Sequence, residues 1–505
     1  MLRVEANRRD FLRWLTTAGA GLAAAGIAPA VFAQEAAAAG TSLAVVLGAT
    51  VVDGNGGAPR HNAAVVLAGD RIAWVGPAGE LPPLAGVQVV DGRGRYLVPG
   101  LWDMHTHGLD HETIFPPLYL LNGVTGIREM WGTPENRAVR DKIARGDLLG
   151  PRVVLGSSII DGPVSLLGPP VTKVADAGQA RAAVRAAKAE GADFVKVYSY
   201  LEKDAFAAIV DECRRVGLPF AGHWPYRVPQ TAASDAGQRS LEHFFGVPVY
   251  TSARRDEFLA TLAATPFDPV APRKFFVLAR ELDRRATLAY SPWQAQEFFG
   301  RLAANGTRLS PTMIVNRVVC SPAGTYAGDP RVKYMPPAIR DSWARNGGVY
   351  SPVTPEEIAQ QEAYFHAQVE LVGAAHRAGV GLLGGTDSLN PYVFPGSGLH
   401  DELDFLVEAG LSPRRALQVV TRDAAAFLGR AETAGTISPG KVADLVLLDA
   451  DPLADIRAVR RIDTVVAAGR VLDRAALDRM EADVETAANQ PANARSVRLP
   501  VHGCC

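Results

Sequence analysis

Residues 43 to 99 alternate short apolar runs with Gly, Asp, Asn and Pro turns. Ala44-Val45-Val46-Leu47, Ala64-Val65-Val66-Leu67, Ile72-Ala73-Trp74-Val75 and Val87-Gln88-Val89-Val90 each read as a strand of a small β module. From Leu97 the period changes. Apolar strands now alternate with amphipathic helices, the pattern of repeated βα units around a parallel sheet. The clearest unit places a helix over about 175–189, a stop at Gly191 and a buried strand through Asp193-Phe194-Val195-Lys196-Val197-Tyr198. The next runs from Asp204 to Val216, closes at Gly217 and gives Pro219-Phe220-Ala221-Gly222-His223-Trp224. Two later units give Ser240-Leu241-Glu242-His243-Phe244 and, after a helix over about 362–378, a strand from Val380 to Asp387. Near Ala434 the β pattern returns, in Gly435 to Asp449 and Thr464 to Val471.

The economical reading is an α/β chain. A (β/α)8 TIM-type barrel over 100–431 is inserted into a small β-sandwich domain built from both flanks, 41–99 plus 432–475, with a C-terminal tail over 476–505 that starts helical. The stretch from about Asn316 to Pro352 lacks clear periodicity and reads as a loop or lid over the site.

Composition narrows the function. The 505 residues are 48% hydrophobic and 21% charged, enough for a large core. The 52 basic and 53 acidic residues nearly cancel and form no long basic run, which argues against a nucleic-acid partner and for a small-molecule substrate. Four cysteines, Cys213, Cys320, Cys504 and Cys505, make no CxxC spacing and no disulfide ladder. At the N-terminus, Asn7-Arg8-Arg9-Asp10-Phe11-Leu12-Arg13 precedes an Ala/Gly-rich apolar run that contains Pro29 and ends at Ala33. That segment is similar to a twin-arginine export signal over 1–33, so a periplasmic protein with no stable membrane insertion is expected.

The strongest chemical signal is Pro99-Gly100-Leu101-Trp102-Asp103-Met104-His105-Thr106-His107, with its histidine pair. Two imidazoles two apart on a strand project to one face and can share a metal. Later strand ends supply Lys196, His223, His243 and Asp387, each where a βα unit points a side chain into a barrel mouth. Imidazole and carboxylate suit zinc and related divalent ions. Lys196, central in an apolar strand, has little structural justification. Tyr198 and Tyr200 share its strand parity and are candidates for substrate contact or for packing. Arg128 ends the apparent second strand, where it can meet a carboxylate or a substrate. His111 and Trp224 carry the same ambiguity, and His61, His366, His376, His400 and His502 read as bystanders.

In these motifs the chain resembles the amidohydrolase superfamily, in its imidazolonepropionase-like and dipeptide-hydrolysing (prolidase-like) branch, over about residues 43–475. Val98-Pro99-Gly100-Leu101 before the histidine pair and the Gly435–Asp449 return strand are similar to signatures of that family. The resemblance implies two divalent metal ions, most simply zinc. His105 and His107 would bind one and His223 and His243 the other, with a carboxylated Lys196 bridging them and Asp387 binding metal and acting as general base. His243 or His223 would also assist the substrate carbonyl. If Lys196 is unmodified, the implied site has one ion. Deaminases of the superfamily carry a Glu shortly after the fifth-strand histidine, whereas this chain has His223-Trp224-Pro225-Tyr226. Hydrolysis of an amide by a metal-activated water is therefore expected, on a dipeptide of Xaa-Pro type or an N-acyl amino acid. The alternatives are cyclic amides or lactones, and a non-catalytic periplasmic binding protein. Enzymes of this branch are often homo-oligomers.

Overall fold

The structure is a computed structural model that describes residues 42–81, 87–346 and 351–494. The export-type segment, His502 and the Cys504-Cys505 pair lie outside the described residues. The chain divides into two compact units, one made of 1–101, 120–125 and 413–480, the other of 102–119, 126–412 and 481–505. The helices over 413–427, assigned to the barrel by sequence pattern, fall in the first unit, and the tail begins as the helix Arg474–Ala488.

In the first unit, strands from both flanks join one eight-stranded hydrogen-bonded sheet. Leu43–Val51 lies antiparallel to Arg60–Ala68, with Val45 opposite Val66 and Val46 opposite Val65. Tyr96–Pro99 pairs antiparallel with Leu445–Leu448, Leu97 facing Leu447, so the chain returns to its own beginning after the whole βα region. Strand alternation sends Val46, Val65, Leu67, Leu445 and Leu447 to one buried cluster and Val45, Ala64 and Val66 to another, so both faces are covered. Each fully buried Val or Leu contributes about 1.5–3 kcal/mol, which is why a sheet of such distant pieces holds.

The α/β barrel is built from short segments, most of whose residues belong to the second unit. Leu101–Thr106, Val124–Glu129 and Arg152–Leu155 form one sheet; Val195–Val197, Phe220–Gly222, Ser240–Glu242 and Arg308–Ser310 run in another. Single hydrogen bonds join them into a ring. Asp193 N to Leu155 O (2.8 Å) and Ser157 N to Phe194 O (2.9 Å) bridge the third and fourth segments. Leu309 N to Gly381 O (3.0 Å) and Leu383 N to Leu309 O (2.9 Å) bring in an eighth, which closes on the first through Met104 N to Gly384 O (2.8 Å) and Asp387 N to His105 O (2.7 Å).

Glycine permits two of these approaches. A Cβ at Gly385 would lie 2.8 Å from the His105 Cβ, and one at Gly222 would lie 2.2 Å from the Val197 carbonyl oxygen.

The helices follow their caps. Asp176 accepts from Gln179 N to start Ala177–Ala189, and Gly217 (φ 68°) ends Lys203–Val216, whose buried face includes Phe206, Ile209 and Cys213. The helix expected from about 362 instead starts at Pro355, because Thr354 and Glu357 form a capping box with proline in the first turn. The stretch expected as a loop over 316–352 is mostly helical where it is described, with Met313–Val319, a short turn over Pro330–Tyr334 and Pro337–Asn346. Its segments are too short for a 3.6-residue period to show.

Glu402, on the helix Ser397–Glu408, accepts a hydrogen bond from Ile314 N (3.0 Å) at the start of Met313–Val319. Burial pushes its carboxyl from the ordinary 4.5 up to about 8. Between those values the folded chain keeps a proton that the unfolded chain has released. The stability from this group is therefore full below pH ~4.5 and is lost as pH rises through about 8. Glu402→Gln removes that titration, so its melting temperature should gain about 2 °C or more on the wild type between pH 5 and pH 9. A difference that stays constant across that range would refute the assignment.

Candidate metal centre

The first strand sends both His105 and His107 inward, and both rings are buried. The eighth segment brings Asp387 between them. His107 Nε2 lies 2.9 Å from Asp387 Oδ1 and His105 Nε2 lies 3.3 Å from the same oxygen. His243 approaches the other carboxylate oxygen, Nδ1 to Oδ2 at 3.6 Å, and His223 meets His243 with Nε2 facing Nε2 at 2.9 Å. Ligand atoms of His105, His243 and Asp387 all fall within 4.8 Å of one another. The structure thus gathers five of the expected residues into one buried cluster. Lys196 is the sixth, fully buried; burial first, and the Lys196 charge after it, lowers the pKa of His105, His223 and His243.

Each ligand-type side chain is held from behind. Glu242 accepts from His105 Nδ1 at 2.9 Å, Ser199 Oγ sits 3.0 Å from His223 Nδ1, and Thr312 Oγ1 sits 3.0 Å from His243 Nδ1. Asn390 Nδ2 donates to Asp387 Oδ2 at 2.6 Å, and Glu129 Oε1 lies 3.6 Å from His107 Nδ1. Asp103, behind the histidine pair, accepts from Thr386 Oγ1 at 2.6 Å; burial pushes it up to about 7. Backbone strain collects here too: His243 (φ 65°), Thr312 (φ 46°) and Asp387 (φ 59°) are all left-handed non-glycine residues, each costing on the order of 1–3 kcal/mol.

The protonation pattern tests whether this set fits a metal. Burial would raise the Glu242 carboxyl, but the Arg128 guanidinium, 3.0 Å from each of its oxygens, outweighs that and keeps Glu242 ionised well below the usual carboxylate range. Burial pushes His105 down to about 4, so the ring is a neutral imidazole. Its single proton belongs on Nδ1, facing Glu242, which leaves Nε2 with a lone pair, buried and without a hydrogen-bond partner. That lone pair faces Asp387 Oδ1, on a carboxylate whose other oxygen accepts from Asn390 Nδ2, a bond that favours the ionised form. Two electron-rich atoms 3.3 Å apart in a dry pocket repel. A divalent cation held by both relieves the conflict, and the nitrogen and oxygen donors suit zinc.

Tyr198 lies against His223, ring centroids 4.0 Å apart, at the edge of the cluster. Tyr200 does not turn towards it: the hydroxyl donates to the Pro272 carbonyl at 2.7 Å and the ring packs on Tyr226, Phe267 and Phe275, so its place is a packing one. Arg128 meets a carboxylate. Trp224 donates from Nε1 to Val228 O and His111 packs on Phe115. Glu242, Glu129, Thr312, Ser199 and Asn390 join the site as supports of its ligand-type side chains, a role the sequence pattern does not assign them. Glu242 and Glu129 had one available signal, a charged residue beside a strand-end candidate in an otherwise apolar run; the hydroxyls and the amide had none.

Residues 330–472 match the Amidohydrolase family. The imidazolonepropionase of Ralstonia nicotianae is 25% identical over 428 residues, 82% of this chain and 92% of that protein. The imidazolonepropionase of Rubrobacter xylanophilus is 53% identical over 49 residues, 9% of this chain, and the alignment spans only 12% of that relative. Among solved structures, a bottromycin amidohydrolase superposes with a TM-score of 0.69 at 24% identity, covering 89% of this chain and 92% of its own. A putative prolidase from Bifidobacterium longum gives 0.61 at 24%, covering 88% and 99%. The fold is that of these proteins, a barrel of (β/α)8 type with a β-sandwich domain from both flanks.

The Glu242 contact predicts a measurable effect on affinity. Glu242→Gln should weaken zinc binding about 10- to 100-fold in a chelator-competition titration, and unchanged affinity would show that His105 needs no such partner. Arg128→Met, which leaves Glu242 buried without its counter-charge, should cost about 3–5 kcal/mol in urea unfolding.

Proposed function

We propose that this chain, similar to the amidohydrolase superfamily in its imidazolonepropionase-like and prolidase-like branch, is a metal-dependent hydrolase of an amide bond in a small substrate. A dipeptide of Xaa-Pro type or an N-acyl amino acid is the substrate class. The observation that carries the reading is the convergence of His105, His243 and Asp387, whose buried ligand atoms lie within 4.8 Å of one another, with His107 Nε2 2.9 Å from the same carboxylate. His105, His107, His223, His243 and Asp387 would hold two divalent ions, zinc in the simplest case, with Lys196 bridging as a carbamate. Such ions, when bound, polarise a carbonyl oxygen and acidify water.

The chain's own residues do the rest. Asp387 stands ionised with Oδ2 pinned by Asn390, so it can take a proton from the attacking water and pass it to the leaving nitrogen. His243, oriented by Thr312 and adjoining Asp387, is placed to steady the carbonyl oxygen as charge develops. The barrel buries every one of these groups, and exclusion of water strengthens each interaction.

A second reading, opening of a cyclic amide, is supported by the imidazolonepropionase relatives. Export to the periplasm belongs to the same proposal and is supported by the twin-arginine-like start and the Ala/Gly-rich run after it.

The test is zinc loading in bicarbonate buffer, followed by amino-acid release from a panel of dipeptides and N-acyl amino acids. Turnover is expected, and Asp387→Asn should lower kcat by about 100-fold or more. Hydrolysis of cyclic amides alone would select the second reading, and metal-loaded protein silent on both classes would overturn both.

A further inference from the structure

The residues that follow the sixth strand hold a strained turn. His243 (φ 65°), Phe244 (φ 64°) and Gly246 (φ 76°) are all left-handed, three of the four residues leading from the histidine to the short helix Val247–Tyr250. Two of them carry a Cβ, and such residues keep a left-handed backbone only where the surroundings dictate it. At Gly246 the constraint is steric, since a Cβ there would lie 2.4 Å from the Trp224 ring.

The carbonyl side of the turn is held by side-chain amides. Asn316 Nδ2 donates to His243 O at 3.4 Å, and Gln230 Nε2 donates to Phe245 O at 2.5 Å. The amide side ends on one carboxylate. Asp283, 1% exposed on the helix Arg273–Thr287, accepts at Oδ2 from Gly246 N at 3.0 Å and also accepts from Val249 N. One turn earlier on that helix Arg280 pairs with Asp283, and its guanidinium carbon lies 3.5 Å from the Phe245 ring centroid. That ring in turn lies beside both His243 and His223, at 5.1 Å and 5.8 Å between centroids. The Arg280 and Asp283 pair therefore grips the turn at its backbone and at its ring. A carboxylate buried this deeply costs more than an apolar side chain in the same space, so packing alone does not account for it. Selection of the strained turn does.

We infer that Asp283, with Arg280, is a positioning residue for His243: it fixes the left-handed turn over 243–246 and so sets how tightly an ion at His243 is held. The inference rests on the metal-dependent reading and deepens it, because ligands bind well only when held within about 0.5 Å of their working geometry. Asp283 acts through the backbone, not by contact with the reacting atoms.

The experiment is a zinc titration of the full chain against a competing chelator. Wild type, Asp283→Ala, Asp283→Asn, Arg280→Gln and Leu67→Ala are compared under conditions where circular dichroism shows each to be folded. Leu67, buried in the sheet of the first unit, supplies a destabilised control outside the unit that holds the turn. In Asp283→Ala one zinc ion should bind as in the wild type and the other about 10- to 100-fold more weakly. Asp283→Asn keeps an oxygen for Gly246 N and should restore most of that loss. Arg280→Gln takes the guanidinium off Phe245 and the counter-charge off Asp283, so it should weaken the same ion, and it decides the matter where Asp283→Ala does not fold. Leu67→Ala should leave both affinities unchanged. If the wild type holds a single ion, the same comparison applies to it, because His243 is one of the three residues whose ligand atoms converge. Zinc affinities that stay at the wild-type value in Asp283→Ala or Arg280→Gln, or that fall only in step with Leu67→Ala, would overturn the positioning role and leave the hydrolase standing. Asp283→Asn as impaired as Asp283→Ala would overturn it too. Wild type that takes up no zinc would overturn the metal-dependent reading and this inference with it.

Discussion

A single guanidinium inside the barrel ties the catalytic end together. Arg128 donates from Nε to the Met104 carbonyl at 2.5 Å, from Nη1 to Ser240 at 2.9 Å and from Nη2 to both Glu242 oxygens, so one planar group joins the first, second and sixth strands. Fully buried charge is expensive unless it is paired and hydrogen-bonded, and this pair is both. Its value is less in net stability than in what it fixes: the Glu242 charge, through that the His105 tautomer, and through that the direction of the lone pair at Nε2. Hydrophobic packing alone would hold the barrel but would leave the imidazole free to choose its proton.

Much of this was legible in the chain because the two periods, 2 and 3.6, are cleanly separated here. The β runs around Val45, Val65 and Leu447 and the helices ending at Gly191 and Gly217 are written in local composition. So were the ligand-type residues, since a histidine or lysine at the exit of an apolar strand stands out. Less was legible where geometry is made by single contacts. The eighth segment, Val380 to Asp387, reads as a strand, but it enters the ring through isolated hydrogen bonds, and the close approach of Gly385 to His105 has no local signature. The supporting hydroxyls of Ser199 and Thr312 come from distant loops, and no spacing rule links them to their histidines. Parity leaves Tyr200 open between substrate contact and packing, and the aromatic cluster around Phe275 decides for packing.

The match to the Amidohydrolase family covers residues 330–472, a stretch that carries Asp387 but none of the histidines in the cluster. The case for a metal centre therefore leans on geometry that the chain assembles from well outside that stretch. The full-length relatives agree with it at the level of fold, and the electron-rich contact between His105 and Asp387 supplies the chemical argument that fold alone does not.

The ring is closed between its first and last segments by hydrogen bonds from Met104 N to Gly384 O and from Asp387 N to His105 O, with no continuous ladder. That seam is the one place where opening would separate Asp387 from both His105 and His107 in the same movement. A cation held across it would act as a rivet as well as a reagent. Its off-rate and the rate at which amide protons along Leu101–Thr106 exchange with solvent are then two readings of one opening event, and an ion that leaves slowly makes the barrel persist longer.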